Sequence, residues 1–243
     1  MMLTKTIISM ASLLSIASFA GETIIFNEQF SSPKWKSNWK FHWDNNTGKQ
    51  GDYFFKYLSE KKLDAKIEKG CIEAIQSSQS SPALALINKT DDAEELIVEF
   101  KFAMIGYYNA SRFGIKLYSS STGATLLATI GAGSKKKNYV SLAAFLKKTP
   151  LTNLTNTSIK AVSHAETFQF PIPTFKWHKG TLTYTKEGTA SLAIDGKQLL
   201  EIKIDSPKFK NAAFNHILFG GNVYPQTKSR PIFSSIKIIK IND

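Results

Sequence analysis

In Leu96-Ile97-Val98-Glu99-Phe100-Lys101-Phe102 every second side chain is large and apolar, so Leu96, Val98, Phe100 and Phe102 share one face of an extended chain. The same period of two recurs along the sequence, and no helical periodicity of useful length appears past residue 20. Strands are predicted at Thr23–Phe30, around Cys71, at Ala83–Asn88, Arg112–Tyr118, Thr125–Ile130 and Tyr139–Phe145. In Arg112–Tyr118, Phe113, Ile115 and Leu117 alternate with Arg112, Gly114, Lys116 and Tyr118. The last third adds a run opening at Trp177, then Ser191–Asp195, a return strand carrying Leu200, Ile202 and Ile204, and strands at Phe214–Phe219 and Ser235–Ile241. Between two of these, Asp195-Gly196 is a two-residue hairpin signal, because both positions of such a turn need φ > 0.

Many short strands with turn punctuation imply an all-β chain, a jelly-roll-like two-sheet antiparallel sandwich. Three stretches read as loops: Ser31–Asp52, Lys147–Ser158 and Gly220–Pro231. No repeat, linker or compositional break divides the chain, so residues 21–243 are expected to form one domain. A core of that size needs neither disulfide nor structural metal. The one cysteine, Cys71, has no partner and reads as a buried structural thiol.

Residues 1–20 have the features of an export signal: Lys5, an apolar stretch from Ile7 to Phe19, and small residues at Ser18 and Ala20. That stretch is too short for a membrane-spanning helix, and no later segment approaches spanning length. A secreted, periplasmic or cell-surface location follows as the expectation. The formal charge is +12, and +11 once Lys5 is removed. The excess is lysine, Arg112 and Arg230 being the only arginines. Such a field attracts polyanions. Export and the scarcity of arginine, the side chain suited to forked phosphate and base contacts, argue against nucleic acid and for an acidic or sulfated polysaccharide. Alternatively, scattered lysines only solvate the surface and blunt edge strands.

The residues Trp177-His178-Lys179-Gly180-Thr181-Leu182-Thr183-Tyr184, followed by Ala190-Ser191-Leu192-Ala193-Ile194-Asp195-Gly196-Lys197, resemble the concanavalin A-like lectin/glucanase superfamily. The likeness is to its LamG-like and 3-keto-disaccharide-hydrolase-like bacterial domains, and it spans about half of residues 21–243. It implies a concanavalin A-like sandwich whose last strand, Phe233–Ile238, pairs beside the first, Ile24–Phe30. Two of the superfamily's sites are missing. Its glucanases carry Glu-x-Asp-x-Glu, whereas here Glu94-Glu95 is adjacent and Glu201-Ile202-Lys203-Ile204-Asp205 has one acid too few. The Gln-x-His strand of its alginate lyases is not found.

Trp35, Trp39 and Trp43 recur at every fourth residue. Exposed Trp35 and Trp43, with Tyr224, would stack on sugar rings; alternatively, Trp39 and at least one neighbour cap the core. Lysines would meet acidic groups, above all Lys135, Lys136 and Lys137 after the turn-like Gly131-Ala132-Gly133-Ser134. Arg112 is a further ligand-pairing candidate. Residues 44–52 form an oxygen-rich, glycine-turned stretch, so Asp44 and Asp52 are weak calcium candidates; no other cofactor is expected. Carbohydrate binding, with acidic polysaccharide as the partner, is the first functional expectation. A carbohydrate-active enzyme, hydrolase or lyase, is the second, and would draw its acid and base from His178, His216, Glu166, Asp44 and Tyr224. A structural envelope protein is the third.

Overall fold

The computed structural model describes residues 21–41, 55–58, 70–74, 83–87, 90, 92–105, 112–132, 138–146, 161–165, 177–222 and 230–242, some of them, Arg112 included, by backbone alone. In chain order the strands begin with β1 (Gly21–Glu28), β2 (Lys40–Phe41), β3 (Phe55–Leu58), β4 (Cys71–Ala74) and β5 (Ala83–Leu86). Next come β6 (Glu95–Ile105), β7 (Arg112–Tyr118), β8 (Ala124–Ala132), β9 (Asn138–Leu146) and β10 (Ala161–Ala165). The last five are β11 (His178–Thr185), β12 (Thr189–Ile194), β13 (Lys197–Lys203), β14 (His216–Asn222) and β15 (Arg230–Asn242). A 3₁₀ turn spans Trp35–Asn38, and a short helix, α1, spans Pro207–Lys210.

These strands make two antiparallel sheets. One runs β13-β12-β11-β6-β15-β4-β3, with β1 also paired to β15; the other runs β10-β9-β8-β7-β14-β5-β2. The last strand therefore lies beside the first, with Gly21 opposite Asn242 and Glu28 opposite Ile236. The period-two pattern sets the core. Leu96, Val98, Phe100 and Phe102 of β6 face Phe113, Ile115 and Leu117 of β7 and Ile217 and Phe219 of β14 in one buried cluster. The far face of the second sheet is also buried at Lys116, Tyr118, Thr125, Leu127, Phe145 and Leu218. Lys116, which the alternation places away from the core, is 0% exposed.

Trp35 and Trp39 of the first loop fold inward. The 3₁₀ turn lays Trp35 edge-on to Phe30 and Phe55, with ring centroids 5.5 and 5.7 Å apart. Trp39 meets Phe219 at 4.6 Å and Phe26 at 5.5 Å. Trp35 is 3% exposed and Trp39 5%, so the Trp35 ring serves the core and has no free face for a sugar. By folding inward each indole displaces water from three phenylalanine rings, Phe30, Phe55 and Phe219 for Trp35 and Phe26, Phe30 and Phe219 for Trp39. Glu28 pins this turn: its carboxylate accepts from Phe30 N at 2.9 Å, Asn38 Nδ2 at 3.1 Å and Trp39 Nε1 at 3.3 Å. Two other loop boundaries also shift. β8 continues through Gly131 and Ala132, and β14 continues to Asn222.

Cys71 is 0% exposed, in β4. Burial, reinforced by the Glu73 charge, pushes its thiol up to about 12. At pH 8 its reaction with a thiol reagent is expected to be at least about 100-fold slower in the native protein than in denaturant, because the thiolate is the reactive form. Equal rates in the two solvents would show that β4 opens readily.

Candidate functional site

The Trp-His and Asp-Gly-Lys segments converge at one end of the first sheet. Asp195 and Gly196 both have positive φ, 52° and 77°, as a two-residue hairpin turn between right-twisted strands requires. The turn folds Asp195 back over the start of β11. Its Oδ1 accepts from Lys179 N at 2.9 Å, its Oδ2 meets His178 Nδ1 at 2.8 Å, and its own N–H donates to Lys179 O at 2.8 Å. His178 is 4% exposed, with its ring 5.6 Å from that of Phe102. The motif thus works as a clip that fixes where β11 begins.

That register decides which side chains stand together on the outer face. Lys179 lies opposite Lys101, and Lys101 opposite Ser235. One row further, Thr181 lies opposite Glu99, and Glu99 opposite Lys237. Glu99 bridges two strands: one oxygen takes Lys179 Nζ, and the other takes Lys237 Nζ at 2.6 Å. Partial burial raises the Glu99 pKa, but hydrogen bonds and charge from the two lysines outweigh burial and hold it below the ordinary carboxylate value. Trp177 is half-buried against Leu58, Cys71 and Ile232, and Lys101 Nζ stands 5.3 Å from its ring centroid. With Gln29 at the rim, these residues enclose an open groove of about 480 Å³. It offers an aromatic ring, three ammonium groups and two carboxylates, of which Asp195 is turned onto the clip.

A second cleft, of about 490 Å³, lies between β1 and β5 and includes Phe26, Ser37, Lys40, Leu86 and His216. His178 and His216 belong to different sheets and line different clefts, so they do not converge on one substrate. Glu166, Asp44, Tyr224, Trp43, Asp52 and Lys135, Lys136 and Lys137 lie outside the described residues, as does the side chain of Arg112. Among the described residues, no group of three or more His, Cys, Asp or Glu is placed to hold a metal ion. No described helix is long and apolar enough to cross a membrane. Trp177, Glu99, Lys101 and Lys237 are not among the site candidates read from the sequence. Glu99 and Lys101 show there only as charge on alternate positions of the clearest strand, Trp177 only as the start of the Trp-His segment, and Lys237 only within the last strand.

No family model and no curated protein matches the chain. Among solved structures it is similar to the globular domain of T. cruzi calreticulin, at 15% identity over 89% of this chain and 87% of that one, with a TM-score of 0.54. It is also similar to a carbohydrate esterase from the Shiga toxin-encoding bacteriophage phi24B, at 11% identity over 92% of this chain and 100% of that one, with a TM-score of 0.53. The Emp47p carbohydrate recognition domain aligns at 11% identity over 78% and 89% of the two chains, with a TM-score of 0.48. At such identities the likeness is one of fold, and the fold is a two-sheet antiparallel jelly-roll sandwich.

Proposed function

We propose that this protein is an exported carbohydrate-binding protein of LamG-like type whose ligand is an acidic polysaccharide held in the Trp177 groove. The observation that carries this reading is the joint placement of Trp177 with Lys101, Lys179 and Lys237. A pyranose ring presents C–H edges that suit an indole face, and Lys101 stands where a carboxylate or sulfate on that ring would find a cation. Glu99 spaces Lys179 and Lys237 and keeps them oriented, so less side-chain freedom is lost when an anion arrives. Three lysines against two carboxylates leave the groove one positive charge in excess. The carbohydrate esterase with the same fold lends general support. An exported chain, which the first 20 residues predict, meets extracellular polysaccharide before it meets nucleic acid.

Isothermal titration with polygalacturonate, alginate, a sulfated galactan and neutral glucan tests this. Trp177→Phe is expected to retain binding, while a double replacement of Lys101 and Lys237 by alanine weakens the acidic glycans by about tenfold, about 1.4 kcal/mol. The screening length shrinks from about 8 Å at physiological ionic strength to about 3 Å at 1 M salt, so acidic-glycan binding should fall steeply across that range. Neutral-glucan binding that survives 1 M salt, without acidic binding at low salt, would overturn the acidic preference. No binding of any glycan at low salt would overturn the carbohydrate reading.

A further inference from the structure

The cleft between β1 and β5 carries chemistry that the Trp177 groove does not use. His216 stands at the start of β14. Its Nδ1 lies 2.8 Å from Asn215 Oδ1. That amide is oriented by two further bonds: Oδ1 accepts from Ser120 N at 3.0 Å, and Nδ2 donates to Ser120 Oγ at 2.6 Å. Asn215 Oδ1 is therefore an acceptor, and His216 Nδ1 must carry the proton that meets it. In the neutral ring Nε2 then holds a lone pair, and no described residue donates to it.

Around the ring, charge and burial favour this neutral form. Burial first, and then the Lys40 charge, pushes His216 below the ordinary histidine value. Tyr118 of β7, with its centroid 5.8 Å away, is itself held protonated by burial. Glu28 lines the same cleft, but its carboxylate is engaged by Phe30, Asn38 and Trp39. Two apolar side chains flank the ring: Phe26 from β1, and Leu86, the cross-strand neighbour of His216 on β5. Phe26 rests edge-on against Trp39, and Leu86 is 62% exposed, one of two large apolar side chains left open among the described residues.

We infer that this cleft is a second binding site, for an uncharged, hydroxyl-bearing ring such as a neutral sugar residue. The apolar face of the ring lies on Phe26 and Leu86, one hydroxyl donates to His216 Nε2, and another accepts from Lys40 Nζ. Charge selects this class. An anion is drawn to Lys40 but meets a lone pair at His216 Nε2, so it forgoes the contact that an uncharged hydroxyl makes there. A cation is repelled by Lys40. The site is independent of the acidic-glycan reading, because it shares no lining residue with the Trp177 groove.

Long-range ¹H–¹⁵N spectra of the histidine side chains, recorded on the whole chain, test this assignment. The probes are uncharged gluco-, manno-, xylo- and galacto-oligosaccharides, with oligogalacturonate as the anionic comparison. An uncharged probe is expected to shift His216 Nε2 and the Leu86 amide. Its binding should weaken about tenfold in His216→Ala and in Leu86→Ser, with oligogalacturonate binding unchanged in both. Because only the neutral ring accepts, binding is lost as pH falls through the His216 pKa, below the ordinary value of about 6.5. His216→Gln, which keeps an acceptor, should bind without that pH dependence. The assignment is overturned if no uncharged probe perturbs His216, if His216→Ala binds as wild type, or if oligogalacturonate occupies the cleft and raises the His216 pKa.

Discussion

Replacing Asp195 by alanine is expected to lower the unfolding free energy by about 3 kcal/mol, through two lost hydrogen bonds to a charged group, at about 1.5–3 kcal/mol each before discounting, and a left-handed backbone position. The discount is needed because the Asp195 side chain is 39% exposed, so water replaces part of what is lost. The buried partner suffers more. His178, 4% exposed, loses the acceptor at its Nδ1, and Lys179 N loses the carboxylate that held it. Alanine at φ 52° adds strain that aspartate tolerates better. Asp195→Asn should recover about half the loss, since its amide oxygen still accepts one bond and asparagine tolerates the left-handed region. Denaturant melts measure both variants. An Asp195→Ala midpoint within error of wild type would mean that the clip is held by something other than this carboxylate.

Gly180→Ala should cost about 3 kcal/mol or more, at the upper end of what overpacking a core usually does. A Cβ there would lie 2.1 Å from Phe100 Cζ and 2.2 Å from Cε2. The ring cannot retreat. Phe100 is 1% exposed and is held by Phe102 at 5.7 Å and Phe113 at 6.2 Å. For a chain of this size the loss corresponds to a melting shift of about 6–12 °C. Trimming the obstacle in Gly180→Ala/Phe100→Leu should restore part of the stability relative to the sum of the single changes, a coupling that a double-mutant cycle reads directly. Strict additivity would place the damage elsewhere than between these two residues.

How much of this was legible in the sequence depends on the range of the interactions. β6, β7 and β11 to β13 were readable because alternation is a local property, and Asp195-Gly196 named its own turn. β3 (Phe55-Lys56-Tyr57-Leu58) breaks its alternation at the adjacent Tyr57 and Leu58, and β10 (Ala161-Val162-Ser163-His164-Ala165) has Val162 as its one branched apolar side chain, so neither registers a period. α1 begins at Pro207, whose ring suits a first helical turn, but it is only four residues long. The groove was hidden for a different reason. Trp177, Glu99 and Lys237 are brought together by strand register, and nothing near any one of them in the chain announces the other two. Trp35 and Trp39 drew notice by local density, and that density reflects local packing onto Phe30, Phe55 and Phe219. Lys116 shows the limit of alternation: it assigns a face, but not what covers that face.

The pairing of β1 with β15 also fixes how the domain answers a pull. Gly21 and Asn242 stand opposite each other at the same end of an antiparallel ladder. Tension applied across these two residues therefore loads one rung at a time and unzips β1, rather than shearing all its hydrogen bonds together. Peeling would run past the irregularity between Ile24 and Phe26 and arrest at Glu28, whose buried carboxylate ties the strand to Phe30, Asn38 and Trp39. β15 would stay in place, paired to β6 from Arg230 to Ile241. The first strand is thus a low-force fuse, and the tryptophan turn behind it is the mechanical stop.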